Sequence, residues 1–234
     1  MVFEIKRLNK GYQVINKSNG HTFSKKLLTE KNAIKQFNIL NKYLNTLEGS
    51  GLNKGEVKEL SEEPLTDSEI KSFLPNVKII SHQDLKNYKT IDELLPKTKD
   101  LVIIIYEAKP NEGHWVLLSK YISEETQKPT IEYFDGYSYP IDTPLKWIQD
   151  KSIDSTSYLT KLLINAKNKY DIIYNSKDFQ KKNKNIATCG RHCISRASSI
   201  LKHNQSLSNY IKMFNSINDM TGFNYDNIVS NIIN

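Results

Sequence analysis

Cys189 and His114 are the residues whose types could together carry nucleophilic chemistry. A thiol attacks a carbonyl carbon well only as thiolate, so a catalytic cysteine needs a base and a local positive potential. Thr188-Cys189-Gly190 stands at the predicted start of a helix over Cys189–Lys202, where unpaired N–H groups and the macrodipole favour negative charge. The backbone N–H groups of Cys189 and Gly190 are candidate donors to an oxyanion formed during acyl transfer. Gly190 would also let a substrate backbone approach without a side chain in the way. The base must come from elsewhere. His192 is one helical turn along and poorly placed for the sulfur, His21 falls in the N-terminal stretch, and His82 and His203 stand in polar surroundings without a motif. His114 opens the run His114-Trp115-Val116-Leu117-Leu118 directly after the turn Pro110-Asn111-Glu112-Gly113. A strand end beside a loop sets a side chain at the rim of a cleft. Tyr133-Phe134-Asp135-Gly136 ends the following strand with a carboxylate. If the two strands pair, Asp135 accepts the second imidazole N–H and fixes its tautomer.

The same cysteine has one rival chemistry. Cys189, His192 and Cys193 could be read as zinc ligands, but adjacent positions of one helix do not converge readily on a tetrahedral ion. No metal is expected, and Cys193 is expected on the buried face, with Arg191 and His192 toward the cleft rim or solvent. Cys193, Ile194, Ala197, Ile200 and Leu201 mark the apolar side of this helix.

The elements that must position these residues follow from the pattern. Val77–Ile80, Leu101–Glu107, His114–Tyr121, Thr130–Phe134 and Tyr170–Tyr174 read as strands; the continuous β-branched run at 101–107 marks a buried one. Thr66 can cap a short helix ending before Pro75, Asp92–Leu95 is a helical turn, and Thr143–Gln149, Ser157–Lys167, Leu207–Ile217 and Asp226–Ile233 read as helices. The class is α+β. Residues 1–47 read as a small β-hairpin plus helix unit, with Tyr12–Ile15 and Thr22–Ser24 flanking an Asn19-Gly20 turn. Thr29 caps its helix. The polar stretch 48–63 reads as a linker, and 64–234 as the main domain.

Composition sets outer limits. A chain of 234 residues with 38% hydrophobic and 25% charged residues supports one good core. Its longest apolar run, Leu101–Tyr106, is far short of a membrane span. The N-terminus shows no apolar signal segment, and the two cysteines build no disulfide framework, so a reducing compartment rather than secretion is expected. The net charge of +7 favours weak attraction to polyanions. A lysine-, asparagine- and isoleucine-rich chain is also what an AT-rich genome encodes, and no nucleic-acid-binding motif sharpens the charge into a site.

Gly113-His114-Trp115-Val116-Leu117-Leu118, Tyr133-Phe134-Asp135-Gly136-Tyr137 and Thr188-Cys189-Gly190-Arg191-His192-Cys193 occur in an order that resembles the cysteine peptidase superfamily of the adenovirus maturation protease and the SUMO-deconjugating enzymes. The resemblance covers about Leu101 to Leu201. It implies a circularly permuted papain-like core, with histidine as general base, the acid orienting it and cysteine as nucleophile. Trp115 would then pack beside the dyad. The superfamily places a glutamine shortly before the cysteine to complete the oxyanion hole. Here Lys182 and Asn183 hold the matching positions, and Gln180 lies slightly further upstream. Gln180 is preferred, with Asn183 or Asn185 as substitutes.

Within that superfamily the chain looks most like maturation proteases of large DNA viruses and virophages. That likeness implies processing of capsid or core precursors at glycine-containing sites, in the virion and host cytoplasm. The alternatives are a SUMO or ubiquitin-like deconjugating peptidase and a catalytically degenerate binding module. No cofactor is required for the chemistry, although relatives imply a DNA or peptide activator. Protein substrates, no membrane and a monomer are expected. Gly49, Ser50 and Gly51 form a candidate self-cleavage site that would release the N-terminal unit.

Overall fold

The computed structural model describes residues 3–17, 20, 22–23, 27–49, 54–109, 112–148 and 150–234, with backbone alone at 35, 39, 42–49, 54, 55 and 220. A hairpin of β1 (Phe3–Leu8) and β2 (Gly11–Asn16) leads into α1 (Glu30–Gly49), α2 (Lys54–Glu62) and α3 (Asp67–Phe73). Next come β3 (Lys78–Ser81), α4 (Ile91–Leu94), β4 (Leu101–Lys109), β5 (Glu112–Ile122) and β6 (Pro129–Asp135). The chain closes with α5 (Tyr158–Ala166), β7 (Asp171–Tyr174), α6 (Cys189–His203), α7 (Leu207–Thr221) and α8 (Tyr225–Ile232). The result is α+β as expected. Strands β3-β4-β5-β6-β7 form one five-stranded mixed sheet, parallel at its two outer pairs and antiparallel at its two inner ones.

Alternation along β5 explains why both sheet faces are covered. Trp115 and Leu117 point one way, into a core shared with Cys193, Ile194 and Ala197 of α6 and Tyr210 and Phe214 of α7. Val116 and Leu118 point the other way, against Leu85, Leu94 and the Leu159 and Leu162 side chains of α5. A strand buried on both faces carries apolar residues continuously, which is what β4 and β5 show. Helix α3 starts with the expected Thr66 cap, completed by Glu69 as a reciprocal capping pair. Among the described residues no helix is long and apolar enough to cross a membrane.

Four local expectations change. The dominant N-terminal hairpin pairs β1 with β2, from Phe3↔Asn16 to Leu8↔Gly11. Three of the six residues of β1, Glu4, Lys6 and Arg7, are charged, and the adjacent Lys6-Arg7 pair breaks the alternation that marks a strand. The expected pairing survives as one bridge, Ile15↔Thr22, with the Gly20 N–H on the Asn16 carbonyl; Asn19 and Ser24 lie outside the described residues. Within the stretch 48–63, Lys54–Glu62 is helical, packs on α8 and buries Val57. Thr143–Trp147 is a 3₁₀ turn entered through Pro144 rather than a helix. Leu201 turns outward, 40% exposed, because it falls on the solvent side of the last turn of α6. The N-terminal unit contributes Phe3, Val14, Phe23, Ala33 and Leu40 to the core that α6, α7 and α8 share.

Candidate active site

The start of β5 and the end of β6 lie side by side. Their register pairs Val116 with Asp135, so Asp135 lies diagonal to His114 on the same sheet face. His114 Nε2 meets Asp135 Oδ1 at 2.9 Å, with the histidine 4% and the aspartate 0% exposed. Gly113 permits this strand entry, since a Cβ there would sit 2.6 Å from the Tyr106 carbonyl oxygen. The second ring nitrogen, Nδ1, is left for Cys189, which lies near enough to the imidazole that each shifts the other's titration. Burial opposes the charged imidazole, but the Asp135 carboxylate and the Cys189 sulfur outweigh it and push His114 up to about 10. Burial likewise pushes the Cys189 thiol up. The His114 imidazole, with the backbone N–H groups of Trp115 and Gly190, overcomes it, and the thiol lies below its ordinary value. Both shifts run in the direction that favours a thiolate–imidazolium pair.

Asp135 is itself held. Its N–H donates to Asn175 Oδ1 at 2.9 Å, Asn175 Nδ2 donates back to its carbonyl at 2.6 Å, and the Tyr137 N–H donates to its carboxylate at 2.7 Å. Asn175 was not found from sequence, yet a signal existed. It follows β7 directly, and β7 pairs in parallel with β6, so the two strand ends coincide. Tyr137 stacks on the His114 ring at 5.0 Å, and Trp147 meets it edge-on at 5.5 Å.

Helix α6 begins without a side-chain cap, because the Thr188 hydroxyl donates instead to Asp226 Oδ1 at 2.5 Å. The free N–H groups of the first turn therefore remain available to an anion. Asp226, buried at the start of α8, also accepts the Lys181 N–H at 3.1 Å and contacts His192 Nε2 at 3.3 Å. Burial works against its charge, and these partners still hold it below the usual carboxylate range. His192 and Arg191 thus do not face the cleft rim or solvent: both are buried, and Arg191 donates to the carbonyls of Ile233 and Glu63. Their polar heads find partners in α8 and the chain before α3, which a single-helix reading cannot see. Replacing Asp226 with Asn removes the charge that His192 and Thr188 bond, and is expected to lower stability by about 1–3 kcal/mol. Thermal unfolding of Asp226→Asn with an unchanged midpoint would contradict that hub.

The remaining site residues fall as follows. Gln180 is buried, its Nε2 donating to Tyr137 Oη at 3.0 Å and to the Ile186 carbonyl at 2.9 Å, while its Oε1 has no protein partner. Asn183 and Asn185 are exposed. Trp115 lies under the first turn of α6 and donates from Nε1 to the Leu65 carbonyl at 3.1 Å. Gly190 differs from its expected use: a Cβ there would meet Leu65 at 3.2 Å and Trp115 at 3.3 Å, so its small size serves close packing rather than an open cleft. Cys193 is fully buried. Gly49 ends α1, and Ser50 and Gly51 lie outside the described residues. Among the described residues no cluster of three or more His, Cys, Asp or Glu side chains could hold a metal ion.

Sputnik virophage encodes "uncharacterized protein V9", 33% identical to this chain over an alignment of 153 residues that covers 63% of this chain and 82% of V9. The chain belongs to the family of that virophage protein. No family model matches it. Among solved structures, two crystal structures of the ASFV pS273R protease, one of them with selenomethionine, align with it. They give TM-scores of 0.44 and 0.46 at 12% and 11% identity, over 90% and 88% of this chain and 83% and 90% of theirs.

Proposed function

We propose that this protein is a cysteine endopeptidase with a Cys189–His114–Asp135 triad in a circularly permuted papain-like core. One observation carries the reading. A buried thiol at an uncapped helix start lies beside a buried imidazole whose Nε2 meets a buried carboxylate at 2.9 Å. Cys189 as thiolate attacks the scissile carbonyl, and its electrons move onto the carbonyl oxygen. That oxyanion is received by the N–H groups of Cys189 and Gly190. Gln180 Nε2 joins them by turning the N–H it gives to Tyr137 toward substrate. The His114 imidazolium then protonates the departing amine as the C–N bond breaks, leaving an acyl-enzyme. A water that gives its proton to His114 releases the acid and restores the thiol pair. Asp135 keeps the imidazole in register throughout.

The substrates in this reading are viral capsid or core precursors, cut at glycine-containing sites in the virion or host cytoplasm by a monomer. Membership in a virophage protein family supports the viral setting. A DNA or peptide activator and non-specific DNA binding belong to the same proposal, resting on family resemblance and the +7 charge. Units 1–47 and 64–234 are proposed to separate by cleavage at Gly49-Ser50-Gly51.

The test is covalent. A peptide vinyl sulfone should label Cys189, with labelling lost in Cys189→Ala. Incubation with capsid precursor and with a SUMO precursor then chooses the branch. A folded sample that fails to label under reducing conditions would leave a binding module as the reading. Intact mass of the active enzyme reports on self-cleavage, which a full-length mass excludes.

A further inference from the structure

At the end of α6 opposite Cys189 lies a cavity of about 590 Å³. Twelve helical steps of about 1.5 Å separate Cys189 from Leu201, so the cavity sits roughly 18 Å from the thiol. Its volume is in the range of ordinary ligand sites. Two of its lining side chains, Phe73 at 36% and Leu201 at 40% exposure, are large apolar groups left open to solvent, and buried Val77 also lines it. Exposed apolar groups gathered in one concavity mark an interaction site more often than scattered ones do.

The rim is cationic. Lys97, Lys99 and Lys202 line the cavity and are exposed. Among the described residues none of the three forms an ion pair, whereas Lys120, Lys169 and Lys182 all do. Lys78 is engaged already, donating to the Leu94 carbonyl at 3.3 Å and lying over the Tyr88 ring. The rim's one acid, Asp100, accepts the Lys97 N–H at 2.6 Å. The Lys99 N–H reaches the Lys120 carbonyl at 2.6 Å, with Lys99 at φ 74°. The backbone of the turn 97–100 is thus fastened to the sheet, and it carries two lysine side chains at the cavity rim.

We propose that this cavity docks an acidic peptide segment bearing a bulky apolar side chain. The apolar residue would fill the space between Phe73, Val77 and Leu201, and the flanking carboxylates would meet Lys97, Lys99 and Lys202. A nucleic acid fits less well. Single strands bind by stacking bases on aromatic faces, and this floor is aliphatic except for Phe73. The groove is separate from the thiol site and does not rest on the peptidase reading.

Fluorescence anisotropy on the full chain tests the groove, with a labelled peptide alternating glutamate and leucine, its lysine–leucine counterpart, and a single-stranded oligonucleotide of equal charge. The acidic peptide should bind and the basic one should not. The triple change Lys97→Glu, Lys99→Glu, Lys202→Glu should weaken binding by about tenfold or more, and Leu201→Asn by about fivefold. These positions are at the surface, so alkylation of Cys189 should be unchanged in both variants. Absence of acidic-peptide binding would overturn the proposal. So would binding that survives both variants, or oligonucleotide binding that equals the peptide's and ignores Leu201→Asn, which would mark a merely basic surface.

Discussion

Cys189 is expected to react with iodoacetamide well below the pH at which an ordinary thiol does, and His114→Ala to slow that reaction at neutral pH by about 10²–10³-fold. The direction follows from what surrounds the sulfur. Burial by itself raises the thiol, and the imidazole is the largest influence pulling it down. Without His114, burial dominates and the thiolate fraction at neutral pH falls about tenfold for each unit of rise. The histidine supplies the other limit. Its imidazolium persists up to about 10, where the proton needed by a leaving amine is lost. Peptide cleavage should therefore fall off on an alkaline limb near that value, while alkylation, which needs no acid, should not. In Asp135→Asn the carboxylate that raises His114 is gone, so the alkaline limb should move to lower pH. A His114→Ala profile superimposable on the parent's would show that the thiol is not paired with this imidazole.

How much of this was legible depends on which contacts are local. Strand β5 is readable because both faces of the sheet are covered, and a continuous apolar run announces that. His114 and Asp135 were legible for the same reason: strand ends next to turns are local features, and antiparallel pairing of neighbours is the simplest topology. The helix start at Cys189 is equally local. Asp226 was not legible, since it comes from the last helix and reaches Thr188 across 38 positions. The burial of Arg191 and His192 follows from that same distant helix. Residues 54–62 were misjudged for a different reason: the helix is short and mostly charged, and its apolar side consists of Val57 and Leu60 alone, too little to stand out in a polar stretch. Gln180 illustrates the limit from the other side. Sequence spacing disfavoured it, while a loop between β7 and α6 brings its buried amide to Tyr137, beside the His114 ring.

The largest loss of stability is expected where α6 is fastened to the sheet, at Arg196 and Glu132. Glu132 lies on β6 facing α6, three positions before Asp135, and Arg196 lies on α6 seven positions after Cys189. Both are 0% exposed. Arg196 Nε donates to Oε1 at 2.6 Å and Nη2 to Oε2 at 2.7 Å, a two-pronged pair. Tyr121 Oη donates to Oε2 at 2.5 Å, Arg196 Nη1 donates to the Gln205 carbonyl at 3.0 Å, and the guanidinium lies over the Tyr210 ring. Burial opposes both charges, so the pair adds little beyond what packed apolar residues would supply, but breaking it strands one charge in the core. Arg196→Met alone should therefore cost about 3–5 kcal/mol, which for a chain of this size lowers the unfolding midpoint by about 10 °C. Combining it with Glu132→Leu should restore a substantial part, because no unpaired charge remains. Chemical denaturation of the two single variants and the double separates the cases. Single costs below about 1 kcal/mol would mean that solvent reaches the pair, and a double variant as unstable as the sum of the singles would mean that the two groups act independently. The same bridge ties the helix carrying the thiol to the strand carrying Asp135. Arg196→Met at a temperature where it stays folded should therefore slow Cys189 alkylation, even though Arg196 touches none of the three reacting side chains.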